Sequence, residues 1–388
     1  MTEANSTRFL TGARIFDGDS FHDGCALRID AGVLAGIIPE ADLPQGGDAV
    51  ERVTGVLAPA FVDLQINGAG GHQIGPETRL QDLANICAIH RGHGCAGVLP
   101  TLITDRAEVT ARVIEAGIAA AASGVPGFLG LHLEGPHLDP RRKGAHDPAL
   151  IRPMDGDDLS RLCAAAAALP ALMVTLAPES ATPEQIAALT RAGAVVSLGH
   201  SDCSHDTAQA AIAAGARCAT HLFNAMSQLG NREPGLVGAV LGGDIAAGVI
   251  ADGIHVHPET LRLALTLRPG GMFLVTDCMA FAGTDLTEIL LNGRPIRRHA
   301  GRLEIADGSL AGADLTMAQA IGVLTGQVGI NPARALAMSS RIPAEVIGAA
   351  LGRIAPGRAA ELVLLNPQDW SLSRVWSGMG WAVPAAGP

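Results

Sequence analysis

The chain has 388 residues, 48% hydrophobic and 17% charged, with 38 acidic against 27 basic side chains and a formal charge of −11. That length is too great for one small domain and enough for a large single-core α/β architecture with an appendage; no polar tract or collagen-like period marks it as disordered. The acidic balance and the 3% aromatic content argue against nucleic acid and against an anionic membrane as partners, but they leave room for a local basic pocket that holds a small anion.

The opening MTEANSTRFL has no basic segment running into an apolar one, so no secretory leader is expected. No apolar run reaches the length of a membrane span. The seven cysteines show no CxxC pair and no regular spacing. They read as reduced thiols used mainly as core filler, Cys203 and Cys278 included, and a cytoplasmic location is expected.

In chain order, RFLTGARIFDGDS and CALRIDAGVLAGIIPE place short apolar stretches between turn residues, the rhythm of a small β structure. GRIAPGRAAELVLLNPQDW at the far end has the same character. Residues 1–55 and 350–388 are therefore expected to build one small β-sandwich domain from both chain termini, flanking a central unit over 56–349. Within that unit, apolar strand-like runs recur: VLAPAFVDLQI, AGVLPTLIT, GFLGLHLEG, ALMVTLAPE, AVVSLGH, RCATHLF, AAGVIADGIHV and MFLVTD. Helical patterns separate most of them. TPEQIAALTRAG opens on Thr182 with Gln185 three residues later, a capping box, and closes on Gly193; CSHDTAQAAIAAGA also begins with capping residues and ends near Gly. Near-continuous apolar strands alternating with helices imply a parallel sheet, and eight of them fit a closed (β/α)8 barrel. No GxGxxG or P-loop opens a helix, which removes the usual phosphate cradles of open-sheet folds.

The strand ends carry the chemistry. Asp63 and Gln65 share one face of the first strand; Glu134, His200, His221 and Asp277 lie at the ends of later ones. Each has a plain structural reading: Glu134 as a cap before Gly135-Pro136, His200 as a turn residue, Asp277 as an N-cap. Five parallel strand ends converging on a barrel mouth outweigh those readings, since the mouth is where this fold builds its sites. One carboxylate and two neutral imidazoles give three metal ligands and leave a position for water, whose pKa a divalent ion lowers to roughly 7. Glu134, His200 and His221 are the expected ligands and Asp277 the general base and acid. His132, two residues before Glu134, is a weaker candidate. His22, His72, His90, His93, His205, His257 and His299 read as surface or satisfied core residues.

HLEGPHLDPRRKGAHDP, SLGHSD, THLFNAM, REPGLVG, ADGIHV and VTDCM, in this order, resemble the motifs of the N-acetylglucosamine-6-phosphate deacetylases of the amidohydrolase superfamily. SLAGADLTMAQAI and PGRAAELVLLN resemble the C-terminal pattern of that family, and the likeness runs from about residue 50 to 366. It implies metal-dependent deacetylation of N-acetylglucosamine 6-phosphate. Glu134, His200 and His221 would hold the metal and Asp277 would be the acid/base. The resemblance adds His146 as a contact to the acetyl carbonyl. It also adds Asn224 and Ala225 as backbone contacts to the sugar phosphate, Arg232 at the phosphate across a dimer interface, and His255 at the sugar or phosphate. Asp63-Leu64-Gln65 stands where many amidohydrolases carry His-x-His, so Asp63 and Gln65 are minor candidates. One divalent ion per subunit is expected, zinc first, with iron and cobalt tolerating similar ligands. AGGHQIGP also departs from the usual pattern, and Cys278 stands where a small residue is common. The rival readings are deacetylation of N-acetylgalactosamine 6-phosphate or of an N-acetyl amino acid, and a catalytically silent scaffold. No lysine sits at a strand end to form a Schiff base.

Overall fold

A computed structural model describes residues 7–44, 49–378 and 380–384; of the N-terminal stretch read for a leader, residues 1–6 lie outside them. The centre is an eight-stranded parallel sheet of Phe61–Ile66, Cys95–Ile103, Leu131–Glu134, Leu172–Leu176, Val195–Leu198, Cys218–Ala219, Ala246–Val249 and Met272–Leu274, in sequence order around the sheet. The first and last strands meet: the Asp277 N–H donates to the Gln65 carbonyl at 3.0 Å and the Asn67 N–H to the Cys278 carbonyl at 2.7 Å. The sheet thereby closes into a (β/α)8 barrel. Helices pack outside it, among them Leu80–Gly92, Ala107–Ala122, Gly156–Ala168, Pro183–Arg191 and His205–Ala213. Strands covered on both faces must be apolar on both, which is why the eight runs show little alternation. The Thr182–Gln185 capping box forms as expected, and Ser204 caps the following helix through the Thr207 N–H.

VLAPAFVDLQI is two strands rather than one. Val56–Pro59 pairs with Arg14–Phe16 and Leu362–Leu365 in a six-stranded sheet, and the chain enters the barrel only at Phe61. Pro59 has no N–H to continue a ladder, and it ends the strand in the smaller sheet. A four-stranded sheet of Val33–Pro39, Cys25–Asp30, Thr7–Thr11 and Val50–Arg52 accompanies it. Leu10, Ile15, Leu27, Leu57, Leu362 and Trp376 form a separate core there, so both chain ends build the small β domain.

A second departure shapes the site. Between the last barrel strand and the helix Met317–Val323 lies an antiparallel sheet of Glu288–Leu291, Arg294–His299, Arg302–Glu304 and Leu310–Ala313. Its first hairpin turns on Asn292-Gly293, both with positive φ (50° and 77°), the pairing that a two-residue turn between twisted strands requires. Met279, Phe281, Leu291, Ile296 and Leu303 pack beneath it. Among the described residues no helix is long and apolar enough to cross a membrane.

Candidate active site

Glu134 is the last residue of its strand; His200 and His221 each follow theirs by two positions and Asp277 by three. These last three adopt positive φ (47°, 30° and 50°), a conformation that costs non-glycine residues about 1 kcal/mol or more and persists where the surroundings impose it. The turn lets the chain leave the barrel while the side chain stays inside the mouth.

Glu134 Oε1 lies 3.1 Å from His200 Nε2 and 3.0 Å from His221 Nε2, and the two ring nitrogens are 3.1 Å apart. All three residues are buried. His200 Nδ1 is 2.8 Å from the Arg142 carbonyl, which can only accept, so Nδ1 carries a proton and Nε2 is the nitrogen left to present a lone pair. That lone pair faces a carboxylate oxygen and a second imidazole. A buried carboxylate oxygen and an imidazole lone pair that face each other are costly, and a divalent cation held by Glu134, His200 and His221 would resolve that conflict. This donor set fits such an ion. Burial raises the Glu134 carboxyl, but its contacts with the His200 and His221 rings outweigh it and hold the group well below the usual carboxylate range.

Asp277 faces this cluster. Its Oδ1 accepts from Asn67 Nδ2 at 2.7 Å and from Gln65 Nε2 at 3.2 Å. Burial first, and then the Glu134 charge, raise its pKa to about 6, which suits a group that must take and return a proton near neutrality. Gln65 Nε2 also donates to Glu134 Oε1 at 3.1 Å, so Gln65 is a donor bridging two carboxylates. Asp63 lies away from the cluster, its carboxylate taking the Thr276 hydroxyl at 2.5 Å and backbone N–H groups of Gln65 and Thr276.

His146 completes the wall. Its Nδ1 accepts from the Thr104 N–H at 3.3 Å and lies 2.8 Å from the Thr104 hydroxyl, so the ring proton sits on Nε2. Burial first, then the neighbouring His200, lower its pKa to about 3 and keep the ring neutral. Thr104 reaches it only because residue 135 is glycine: Gly135 has φ +89°, and a Cβ there would lie 2.2 Å from the Thr104 hydroxyl oxygen.

The amidohydrolase family model matches residues 56–379. The chain belongs to the amidohydrolase family. An N-acetylgalactosamine-6-phosphate deacetylase of Shewanella sp. (strain ANA-3) is 37% identical over 370 residues, 94% of this chain and 93% of the relative. An N-acetylglucosamine-6-phosphate deacetylase of Haemophilus influenzae is 33% identical over 358 residues, 91% of this chain and 93% of that one. The crystal structure of N-acetylglucosamine-6-phosphate deacetylase from Pasteurella multocida superposes with a TM-score of 0.91 at 31% identity, covering 97% of this chain and 99% of that chain.

In this amidohydrolase the cluster opens into a cavity of about 360 Å³, within the range of small-ligand sites. Asn224, Ala225 and His255 line it. Asn224 Nδ2 is tied to the His221 carbonyl at 3.1 Å, and His255 Nδ1 to Asp252 Oδ2 at 2.5 Å. Arg232 is exposed and does not line the cavity of its own chain. His132 is spent within the barrel, Nδ1 against the Leu64 carbonyl at 3.0 Å and Nε2 against the Thr175 hydroxyl at 2.7 Å. Cys203 and Cys278 are buried, their thiols pushed up by burial. Four contributors escaped the sequence reading: Asn67, Thr104, the Arg142 carbonyl, and the hairpin sheet, which supplies Leu291 and Ser309 through Gly312 to the cavity wall. Only the hairpin had a local signal, the Asn-Gly turn.

Proposed function

We propose that this protein is a cytosolic deacetylase that hydrolyses N-acetylglucosamine 6-phosphate to glucosamine 6-phosphate and acetate. The observation that carries the reading is the meeting of Glu134 Oε1, His200 Nε2 and His221 Nε2 beside a carboxyl group whose pKa is raised to about 6. The names of the full-length relatives supply the substrate class. Glu134, His200 and His221 would hold one divalent ion, zinc first by its liking for mixed N/O sites, which when bound supplies a Lewis acid and water acidified to a pKa of about 7. Asp277 takes the proton of the water that adds to the acetyl carbon. His146 donates its Nε2–H to the carbonyl oxygen as negative charge gathers there, a contribution of about 3 kcal/mol for one such donor. Asp277 then passes its proton to the nitrogen as the C–N bond breaks. Asn224 and Ala225 would meet the sugar phosphate through their backbone, with His255 beside them. Arg232, exposed on its own subunit, would reach the phosphate in a second subunit, making the enzyme a homodimer. A guanidinium paired with phosphate is a strong charge-assisted contact.

The test is acetate release by metal-reconstituted protein from N-acetylglucosamine 6-phosphate, its galactosamine epimer and unphosphorylated N-acetylglucosamine. Release from the glucosamine phosphate well above the other two is the expected result. Faster turnover of the epimer would move the assignment to the activity named for the Shewanella relative. Equal turnover without the phosphate would remove the phosphate roles given to Asn224, Ala225, Arg232 and His255.

A further inference from the structure

We infer that Asn67 is a substrate-binding residue: its Oδ1 accepts the N–H of the scissile acetamido group while its Nδ2 holds Asp277. The inference rests on the deacetylase reading above. Asn67 follows the first barrel strand by one residue, is 1% exposed and lines the cavity. Its backbone is fixed from both sides, the N–H donating to the Cys278 carbonyl at 2.7 Å and the carbonyl accepting from the Ile74 N–H at 2.9 Å. The amide cannot be flipped without cost. Nδ2 is 2.7 Å from Asp277 Oδ1, and the reverse orientation would press a carbonyl against a carboxylate.

This leaves Oδ1 buried with no hydrogen-bond partner among the described residues. Buried acceptors are rarely left so, and this one, on a residue that lines the ligand cavity, is placed to take its donor from the ligand. The reaction says which donor. Asp277 must deliver a proton to the leaving nitrogen, so that nitrogen lies beside Asp277, and Oδ1 belongs to the same small amide that already bonds to Asp277. The carbonyl oxygen of the substrate faces His146 instead. With its N–H directed to Asn67, the nitrogen develops its lone pair toward Asp277 as the acetyl carbon becomes tetrahedral. One side chain thus orders both proton donor and proton acceptor, and it favours an amide over an ester, which has no N–H to offer.

The test compares acetate release from N-acetylglucosamine 6-phosphate with release from glucose 6-phosphate acetylated on its 2-hydroxyl, for wild type, Asn67→Ala and Asn67→Asp, each with metal content measured. Asn67→Ala is expected to lose about 100-fold in kcat/KM on the amide and no more than about 10-fold on the ester, at unchanged metal content. Asn67→Asp keeps an oxygen in place of Oδ1 but loses the amide donor, so its rates fall on both substrates while the amide-to-ester ratio stays within about threefold of wild type. Equal losses on the two substrates in Asn67→Ala, or a ratio in Asn67→Asp as low as in Asn67→Ala, would overturn the inference alone. A wild type that releases acetate from neither compound would bring down the deacetylase reading, and this inference with it.

Discussion

His132 and Glu134 stand two residues apart on one barrel strand, both buried and both directed into the barrel, yet their surroundings differ in kind. Below, His132 bonds to the Leu64 carbonyl and to Thr175, whose hydroxyl meets that of Thr220 at 2.6 Å, which in turn meets Ser197 at 2.6 Å. The Leu64 carbonyl accepts, and the imidazole and each hydroxyl can be donor to one neighbour and acceptor from another, so the layer is satisfied by the protein itself. Above, Glu134 and His200 present acceptors to each other, and Asn67 Oδ1 has no partner among the described residues. Burial and polarity are the same in the two layers; satisfaction is not. A polar network that closes on itself holds the barrel together, and one that leaves lone pairs facing each other is waiting for a ligand.

The largest effect should come from closing the upper network artificially. Glu134→Gln puts an amide donor where the carboxylate was, able to satisfy the His200 lone pair. The fold should hold, the bound metal measured by elemental analysis should fall to a small fraction, and acetate release should drop by about three orders of magnitude or more. Full metal content with near-normal turnover would mean that this cluster is not the metal site.

Next comes Asp277, which touches the network without belonging to its ligand set. Asp277→Asn should keep the metal and lose about 10²- to 10⁴-fold in kcat, the usual span for a general acid–base. The pH profile follows from its raised pKa of about 6. The base must be ionised, so kcat/KM falls as pH drops through the pKa. A cation beside the carboxyl favours ionisation, which places the acid limb at or below about pH 6. An acid limb above pH 7 in wild type, or one that persists unchanged in Asp277→Asn, would assign the base to another group.

The upper layer was far more legible in the sequence than what supports it. Glu134, His200, His221 and Asp277 stand out because apolar runs end in residues that apolar runs do not need. Thr104 and Asn67 do not stand out, since Thr and Asn after a strand are ordinary turn formers. Their roles come from closure of the barrel, which sets Asn67 against a residue 210 positions away. The Arg142 contact to His200 is made by a backbone carbonyl, which no side-chain pattern reports. The hairpin sheet over the mouth was hidden by its own composition: strands such as RPIRRH are too polar to read as part of a buried core, and only the Asn292-Gly293 turn marks them. Arg232 shows the opposite case, for its assignment came from resemblance alone and the fold of one chain leaves it at the surface.

The smallest effect on turnover should come from the lower layer, and it tests the distinction most directly. His132→Leu removes the partner of the Leu64 carbonyl and one partner of Thr175, while Thr175 keeps its bond to Thr220. Burial lowers the His132 pKa to about 4 despite the nearby Glu134 charge, so the ring is neutral at working pH and no ion pair is lost with it. The cost is that of buried acceptors left short of a donor, about 1–3 kcal/mol. It should appear as a lower denaturation midpoint at an unchanged slope. Metal content should match wild type and kcat should stay within about threefold, because none of the Glu134 contacts to His200, His221 or Gln65 runs through His132. A collapse of kcat with metal still bound would show that the satisfied layer positions the one above it, and the two could no longer be treated as separate networks.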